Sequence, residues 1–288
     1  MNKKNIVRVA LVQSPAHLEP AENIRRTLRA IERAAQRGAR IICLQELFSH
    51  RYFCQQRRRK FFELAETVPG PTTRIFSDAA RRAGVALIVP LFERCKGKFY
   101  NTAAVIDSKG RLAGKYRKLH IPYDPLFYEK YYFVPGNLGL PVFELEGARV
   151  AVLICYDQWF PEAARLAASK GAQILFYPTA IGWKDNRLEE TAAYHESWTM
   201  MHQAHAVANG VFVGAANRVG VEGKLHFWGG SMVCGPFGQM IGRAGGSRGQ
   251  TLITDCDLSL IGKTRTEWPF ERDRRKDLSK NRHIERYL

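Results

Sequence analysis

The stretch Arg149–Arg165, RVAVLICYDQWFPEAAR, indicates how this chain folds. Its apolar run Val150–Ile154 is typical of a buried strand. The run stops at Cys155, and Pro161 then opens Glu162–Arg165 as the first turn of a helix. A cysteine at such a junction can face open space at the sheet edge, near a helix N-terminus whose dipole favours a thiolate. The alternative is a small buried residue that closes the strand.

Two further segments contain charged residues of interest, one after a predicted strand and one in a basic run. The apolar run Ile41–Leu44 leads to Glu46, which is either a strand-end charge in water or a functional carboxylate. In the basic segment Gly114–Pro122, GKYRKLHIP, Lys118 lies shortly before Pro122, which stops a helix. A solvated surface charge is the alternative for this lysine. Neither residue decides a function by itself.

Taken together, the three segments resemble the nitrilase, or carbon–nitrogen hydrolase, superfamily, whose members use a glutamate, a lysine and a cysteine. The sequence is closer still to one branch, the N-carbamoylputrescine amidohydrolases. The resemblance runs from the first strand to the C-terminal tail and so covers nearly the whole chain. The matching motifs are His120–Gly136, Cys155–Arg165, Phe176–Trp183, Ala208–Val211, Ala216–Gly220 and Phe227–Ser231.

The resemblance implies that Glu46 is the general base, Lys118 the electrostatic stabiliser and Cys155 the nucleophile that forms a thioester. A thiol with a pKa of about 8.5 is only slightly ionised at neutral pH, so a base must take its proton as it attacks. By analogy, Lys118 and the backbone N–H of Tyr156 hold the oxyanion. Glu46 then returns the proton to ammonia and activates water against the thioester. Neither a metal nor a cofactor is expected.

The resemblance also implies a substrate pocket. It places Glu129 there as a second carboxylate, which orients the substrate nitrogen and the catalytic lysine; an exposed loop glutamate is the alternative. Tyr156, Asp124 and Ala180 are predicted as further substrate-binding residues. Glu162, in the first helical turn, is predicted to stabilise the helix start rather than to take part in chemistry.

Length and composition favour one large core. The chain has 288 residues, 45% of them hydrophobic, and nothing marks a linker, so we expect a single carbon–nitrogen hydrolase domain over 1–288. The resemblance implies a homodimer or a larger dimer-based oligomer, with a C-terminal tail of about 262–288 at the subunit interface. No apolar run approaches the roughly 18 residues of a membrane span, and no signal-peptide core is present. Six scattered cysteines favour reduced thiols in the cytoplasm.

Hydrophobic periodicity predicts alternating strands and helices, and therefore mixed sheets covered by helices. The resemblance makes this an α/β fold, a four-layer α-β-β-α sandwich. Gly38 is predicted to end the first helix, and packing is favoured over metal binding for the helical pair His202 and His205. Predicted strands are Ile6–Val12, Ala39–Leu44, Val85–Val89, Tyr100–Asp107, Val150–Ile154, Gln173–Tyr177, Val211–Ala215, Gly230–Cys234 and Gln250–Cys256. Predicted helices are Ala21–Arg37, Thr72–Ala83, Pro161–Ser169 and Leu188–Asn209.

The strong positive charge raises a different class of function. There are 44 Lys and Arg against 27 Asp and Glu, a net charge of +17, with basic runs at 57–60 and 272–276. A nucleic-acid-binding protein is therefore the distant alternative. The basic residues are spread along the chain and no nucleic-acid module is recognised, so no specific nucleic-acid partner is expected.

The favoured substrate is a small ureido compound, N-carbamoylputrescine, which would be converted to putrescine, ammonia and CO2 in polyamine biosynthesis. Its ammonium needs a locally acidic pocket in so basic a protein. Tyr123 and Lys224–His226 depart from the branch pattern and leave open an amidase or β-ureidopropionase-like hydrolase acting on another linear amide or N-carbamoyl amino acid. The residues that could supply the acidic field are Asp124, Glu129, Glu189, Glu190 and Glu196.

Overall fold

The computed structural model of the protein describes residues 5–184 and 188–275, and for 188–191 the backbone alone. Proline opens the first three helices, as its fixed φ angle favours. Gly38, with φ +85°, follows the first helix and lets the chain reverse there. The helices are α1 Pro20–Gln36, α2 Pro71–Ala83, α3 Pro161–Ser169, α4 Leu188–Asn209, α5 Ser259–Glu267 and α6 Phe270–Asp273.

The strands are mostly short and rich in β-branched and aromatic residues, which suit a pleated, buried surface. In chain order they are β1 Ile6–Gln13, β2 Ile41–Leu44, β3 Ala86–Cys95, β4 Lys98–Ile106, β5 Leu112–Arg117, β6 Val142–Leu145, β7 Ala148–Val152, β8 Ile174–Thr179, β9 Gly182–Lys184, β10 Phe212–Asn217, β11 Val219–Glu222, β12 Leu225–Trp228, β13 Met232–Cys234, β14 Met240–Arg243 and β15 Gln250–Asp257.

The strands form two six-stranded sheets and a small three-stranded one within the described residues. The first sheet has the order β15-β1-β2-β3-β4-β5 and the second β14-β13-β10-β8-β7-β6; β9, β11 and β12 make the third. Both large sheets combine parallel pairs, such as β1 with β2 and β7 with β8, with antiparallel ones. The predicted mixed sheets are confirmed.

The two large sheets pack face to face and helices cover their outer surfaces. One hydrophobic cluster joins Val9 and Val105 of the first sheet to Val152 and Leu175 of the second, together with buried residues of α3 and α4. A second cluster packs α1 and α2 on the other face of the first sheet. These four layers confirm the α-β-β-α sandwich. No helix in the described ranges has the length and apolar character that spanning a membrane would demand.

The predicted elements differ from the structure mainly at their ends. Helices Pro161–Ser169 and Leu188–Asn209 are confirmed to the residue. The predicted strand Val150–Ile154 ends earlier, at Val152, so Cys155 does not close a strand directly. It begins a 3₁₀ turn, Cys155–Trp159, that separates β7 from α3. Periodicity also missed β5, β6, β9, β11, β12 and β14, which are short or carry charges.

Candidate active site

Cys155 lies in a sharp turn beyond the carboxyl end of β7. Its φ angle is +44°, a left-handed conformation that costs a non-glycine residue energy and is typical of functional sites. Asp157 supports the turn, since its Oδ2 accepts the backbone N–H of Ile154 at 2.9 Å and the hydroxyl of Tyr116 at 2.7 Å. The Cys155 side chain is held at the wall of a cavity.

Burial, and not the dipole of a nearby helix, dominates the protonation state of Cys155. Burial, followed by the negative charge of Glu46, raises the pKa of the thiol well above its usual value. The charge of Lys118 and a hydrogen bond from the backbone of Ala180 act in the opposite direction but do not overcome burial. The resting group is therefore a thiol, and a base has to take its proton before it can attack.

Lys118 follows β5 directly and its ammonium is fully buried. Nζ donates to Oε1 of Glu46 at 2.8 Å and to Oε2 of Glu129 at 2.7 Å. Burial opposes the charge of the lysine, but the two carboxylates outweigh it and hold its pKa well above the usual value. Lys118 is therefore a fixed positive charge, and the alternative of a solvated surface lysine is wrong.

Glu46 begins the turn Glu46–Ser49 after β2 and is fully buried. Its Oε1 accepts two hydrogen bonds, one from Lys118 and one from Nδ2 of Asn101 at 2.7 Å. Its Oε2 has no hydrogen-bond partner among the described residues. One oxygen is thus held in place while the other is available to accept a proton.

Glu129 lies in a 3₁₀ turn, Glu129–Tyr131, and only 1% of it is exposed, so the alternative of an exposed loop glutamate is wrong. Its Oε1 accepts the hydroxyl of Tyr52 at 2.7 Å. Burial raises the pKa of this carboxyl to about 7, against the opposing effect of Lys118. Glu129 therefore titrates near neutral pH, coupled to its neighbours.

A cavity of about 210 Å³ opens beside these groups. The four residues predicted to bind substrate, Asp124, Glu129, Tyr156 and Ala180, all line it, as does Cys155. Its other walls are mainly apolar and aromatic, as in many small-molecule sites. They are Pro122, Phe127, Gln158, Trp159, Ile181, Gly182, Tyr194, Ser197 and Trp228.

The residues that departed from the family pattern lie outside this lining. Tyr123 is exposed and its ring packs against Tyr128 at 5.7 Å. His226 stacks on Trp183 at 6.3 Å in the small sheet. Glu196 is exposed, and it too is absent from the described lining of the cavity. The side chains of Glu189 and Glu190 lie outside the described residues.

Sequence reasoning missed the residues that hold the charged groups, chiefly Tyr52 and Asn101. The signal for Asn101 is a polar amide in the buried, mostly apolar part of β4. Tyr52 shows no comparable pattern, because its role depends on Glu129, which is 77 residues away.

The histidine pair of α4 makes protein contacts. Nδ1 of His202 is 2.8 Å from the carbonyl oxygen of Trp198, and Nε2 of His205 is 2.7 Å from that of Gln158. Across the described ranges, no cluster of three or more His, Cys, Asp or Glu could hold a metal. Glu162 lies in the first turn of α3, where a carboxylate favours the helix start.

Known proteins are similar in sequence to this chain along almost its full length. A family model for carbon-nitrogen hydrolases matches residues 8–266. An N-carbamoylputrescine amidase of Solanum lycopersicum is 40% identical over 289 residues, covering 96% of this chain and 95% of that protein. A citrullinase of Francisella tularensis subsp. tularensis is 38% identical over 277 residues, covering 94% of this chain and 96% of that protein.

Solved structures share its fold as well. A carbon-nitrogen hydrolase from Helicobacter pylori G27 has a TM-score of 0.91 at 38% identity, covering 94% of this chain and 96% of that one. An amidase from Nesterenkonia sp. AN1 has a TM-score of 0.79 at 29% identity, covering 96% of each chain. The latter structure shows covalent addition of the acetamide moiety of fluoroacetamide at the active-site cysteine.

Proposed function

Because this chain belongs to the carbon–nitrogen hydrolase family, we propose that it hydrolyses the ureido C–N bond of a linear N-carbamoyl compound through a thioester at Cys155. The observation that carries this proposal is the buried ammonium of Lys118 between two carboxylates, beside a cavity into which Cys155 opens. These are the groups that acyl transfer through a thiol requires: a nucleophile, a base and a fixed positive charge.

The reaction begins with proton transfer. Oε2 of Glu46 takes the proton of the Cys155 thiol as Sγ attacks the carbamoyl carbon. The oxyanion that forms is stabilised by Lys118 and by the backbone N–H of Tyr156, and removing one such donor typically costs about 3–4 kcal/mol of barrier. Collapse of this intermediate breaks the C–N bond, and Glu46 returns the proton to the departing ammonia.

The second half of the reaction consumes water. Glu46 takes a proton from the water molecule as its oxygen attacks the thioester carbon. The proton then returns to Sγ of Cys155 as the C–S bond breaks. The product is a carbamate, which loses CO2 to leave the free amine. Glu129 holds Lys118 and the substrate nitrogen in place through both halves.

N-carbamoylputrescine is the substrate that we propose first, with polyamine biosynthesis as the context. The amidase of Solanum lycopersicum supports this choice. The charge of the cavity supports it too, since the described lining contains Asp124 and Glu129 but no Lys, Arg or His. Aromatic walls such as Trp159 and Trp228 also attract an ammonium group.

An N-carbamoyl amino acid is the second candidate, and the citrullinase relative supports it. Such a substrate carries a carboxylate, which a cation in the pocket would stabilise. The absence of a cationic side chain from the described lining therefore favours the diamine end over the carboxylate end.

Ammonia release from a panel of substrates tests the proposal. The panel contains N-carbamoylputrescine, N-carbamoyl-β-alanine, citrulline, a short aliphatic amide and a nitrile. We expect the highest kcat/KM for N-carbamoylputrescine. Turnover of only the carboxylate-bearing ureides would reject the polyamine assignment and keep the chemistry.

The role of the cysteine is tested with a matched pair of variants. Cys155→Ala should abolish ammonia release in a protein that still unfolds cooperatively. Cys95→Ala removes a thiol at the end of β3 and should leave the rate close to that of wild type. Equal activity in both variants would reject the thioester.

The assembly is also part of the proposal. We expect residues 1–288 to form a single domain in a cytoplasmic homodimer or larger dimer-based oligomer, with the tail from about residue 262 at the subunit interface. This tail begins within α5 and includes α6. Helix α6 lies beside α3, since Glu271 is 3.4 Å from Arg165. Residues 276–288 lie outside the described part.

A further inference from the structure

A second buried ion pair, Arg218 with Glu222, lies behind the turn that carries Glu46. Arg218 joins β10 to β11 and Glu222 ends β11, and their side chains are almost completely shielded from solvent. Nη1 of Arg218 donates to Oε1 of Glu222 at 2.7 Å. Neither residue appears in the described lining of the cavity.

Arg218 binds the turn of Glu46 through its terminal nitrogens. Nη2 donates to the backbone oxygens of Glu46 at 3.0 Å and of Leu47 at 2.8 Å, and Nη1 donates to that of His50 at 2.9 Å. With Glu222, these acceptors occupy all four N–H groups of the two terminal nitrogens. Leu47 has φ +49°, a conformation that persists only where its surroundings hold it.

Glu222 binds the other end of the same segment. Its Oε2 accepts the backbone N–H of Tyr52 at 2.6 Å. The hydroxyl of Tyr52 in turn donates to Glu129. The segment Glu46–Tyr52 therefore carries the proposed base at one end and the partner of Glu129 at the other, and one ion pair holds both ends.

We infer that Arg218 and Glu222 are positioning residues, which fix the segment Glu46–Tyr52 so that Glu46 and Glu129 flank the ammonium of Lys118. The inference rests on the catalytic roles proposed above for Glu46 and Glu129. Neither residue of the pair is part of the described cavity wall that contains Cys155. Together they set the location of the two carboxylates, one through the backbone of Glu46 and one through Tyr52.

The contacts of the pair argue for this role over a general contribution to stability. A buried ion pair usually contributes little to stability relative to apolar residues of the same size. Here the acceptors of Arg218, apart from Glu222 itself, all belong to the segment that carries the base. Placement errors of about 1 Å can lower a rate by about 10²-fold.

Arg218→Lys in the full-length protein is the first test, since lysine keeps the charge but cannot reproduce a four-donor fork. Two rates are measured: kcat on the best substrate of the panel and the second-order rate of Cys155 alkylation by iodoacetamide. Both are expressed per reactive Cys155, counted by mass spectrometry at completion. We expect kcat to fall about 10²-fold and alkylation to slow as well, because both need a correctly placed base.

Glu222→Gln is the second variant, and it decides the question by the same two rates if Arg218→Lys does not fold. Glutamine replaces one of the two carboxylate oxygens with an NH2 donor, which cannot accept the hydrogen bond that Arg218 or Tyr52 donates to that position. We expect the double variant to lose little more activity than either single one, since the pair acts as a unit.

Ile31→Ala is the matched control, because Ile31 is a fully buried residue of α1 in the cluster outside the first sheet. It should lower the unfolding midpoint and leave both rates per reactive Cys155 close to wild type. The inference is overturned if Arg218→Lys or Glu222→Gln, once folded, keeps wild-type rates. If Glu46→Gln itself keeps the wild-type kcat, the proposed function fails instead, so the two failures are distinguishable.

Discussion

Two buried ion clusters on neighbouring residues of this chain have opposite ratios of cations to carboxylates. In the first, the single carboxylate of Glu93 accepts hydrogen bonds from Arg117, Lys115 and Thr102 at 2.5–2.8 Å. In the second, the next residue after Arg117, Lys118, places a single ammonium between two carboxylates. Both clusters pair carboxylates with cations, but the charge balance is reversed.

This reversal changes what the carboxylates can do. Burial acts to raise the pKa of Glu93, but Arg117, Lys115 and Thr102 outweigh it and hold the pKa below its usual value. Glu129 keeps a pKa raised to about 7, and Oε2 of Glu46 stays without a partner among the described residues. An excess of cations fixes a carboxylate in place, whereas an excess of carboxylates leaves one able to exchange a proton.

Replacing each lysine in turn should separate the clusters most clearly. Lys118→Met removes a fixed charge from the proposed oxyanion site, and we expect kcat to fall by about 10²–10³-fold. Lys115→Met, three residues away, removes a partly exposed cation from Glu93 and should leave kcat close to wild type. Steady-state ammonia release measures both. Similar losses in the two variants would remove the functional distinction.

Glu93→Gln, in the first cluster, should have a large effect on stability and a small one on activity, unlike Lys118→Met. It leaves the buried charge of Arg117 without its partner, which typically costs about 3–5 kcal/mol of unfolding free energy. Urea unfolding should show a lower midpoint with an unchanged slope. An unfolding free energy equal to that of wild type would contradict the view of this cluster as structural.

The pH dependence should differ between the two clusters as well. Because the pKa of Glu129 is about 7 in the folded state and about 4.3 unfolded, the folded state binds more protons between these values. The contribution of Glu129 to stability therefore falls as pH rises from about 4.3 to 7. Glu93, whose folded pKa is lowered, contributes above its unfolded pKa and loses this contribution as pH falls.

The pH dependence of activity should reflect the protonation of Glu129 rather than that of Glu93. As pH falls below about 7, protonation of Glu129 removes one of the two negative partners of Lys118, and we expect kcat/KM to fall with an apparent pKa that belongs to the coupled group. Glu129→Gln should lower kcat/KM and abolish this limb of the profile. An unaltered limb in Glu129→Gln would assign the titration to another group.

The sequence pattern drew attention to Glu46 and Cys155 because each follows an apolar strand run, whereas Lys118 was identified only through the resemblance to a family. The motif at Cys155 also predicted α3 to the residue. By contrast, β5 was missed because Leu112–Arg117 is polar and half exposed and shows no apolar alternation. The four-layer sandwich came from the resemblance to a family and not from periodicity.

What the sequence could not provide depends on contacts between distant residues. The contact of Arg218 with Glu46 spans 172 residues, and that of Tyr52 with Glu129 spans 77. The burial that raises the pKa of the Cys155 thiol is a further example, since a helix dipole can be judged locally whereas burial depends on the whole fold. The sequence shows which charged residues lie near a motif, but it does not show how many cations and carboxylates meet in one buried cluster.

Asp124 belongs to neither buried cluster, and its replacement should have the smallest effect on activity. It lies at the cavity but is exposed to solvent, so water screens its charge. Exposed ion pairs contribute about 0.2–1 kcal/mol, and Asp124→Asn should therefore raise the KM for N-carbamoylputrescine by no more than about fivefold. The KM of a neutral aliphatic amide should not change, and added salt should reduce the difference between wild type and variant. An equal increase for the charged and the neutral substrate would show that Asp124 shapes the cavity rather than attracting the ammonium.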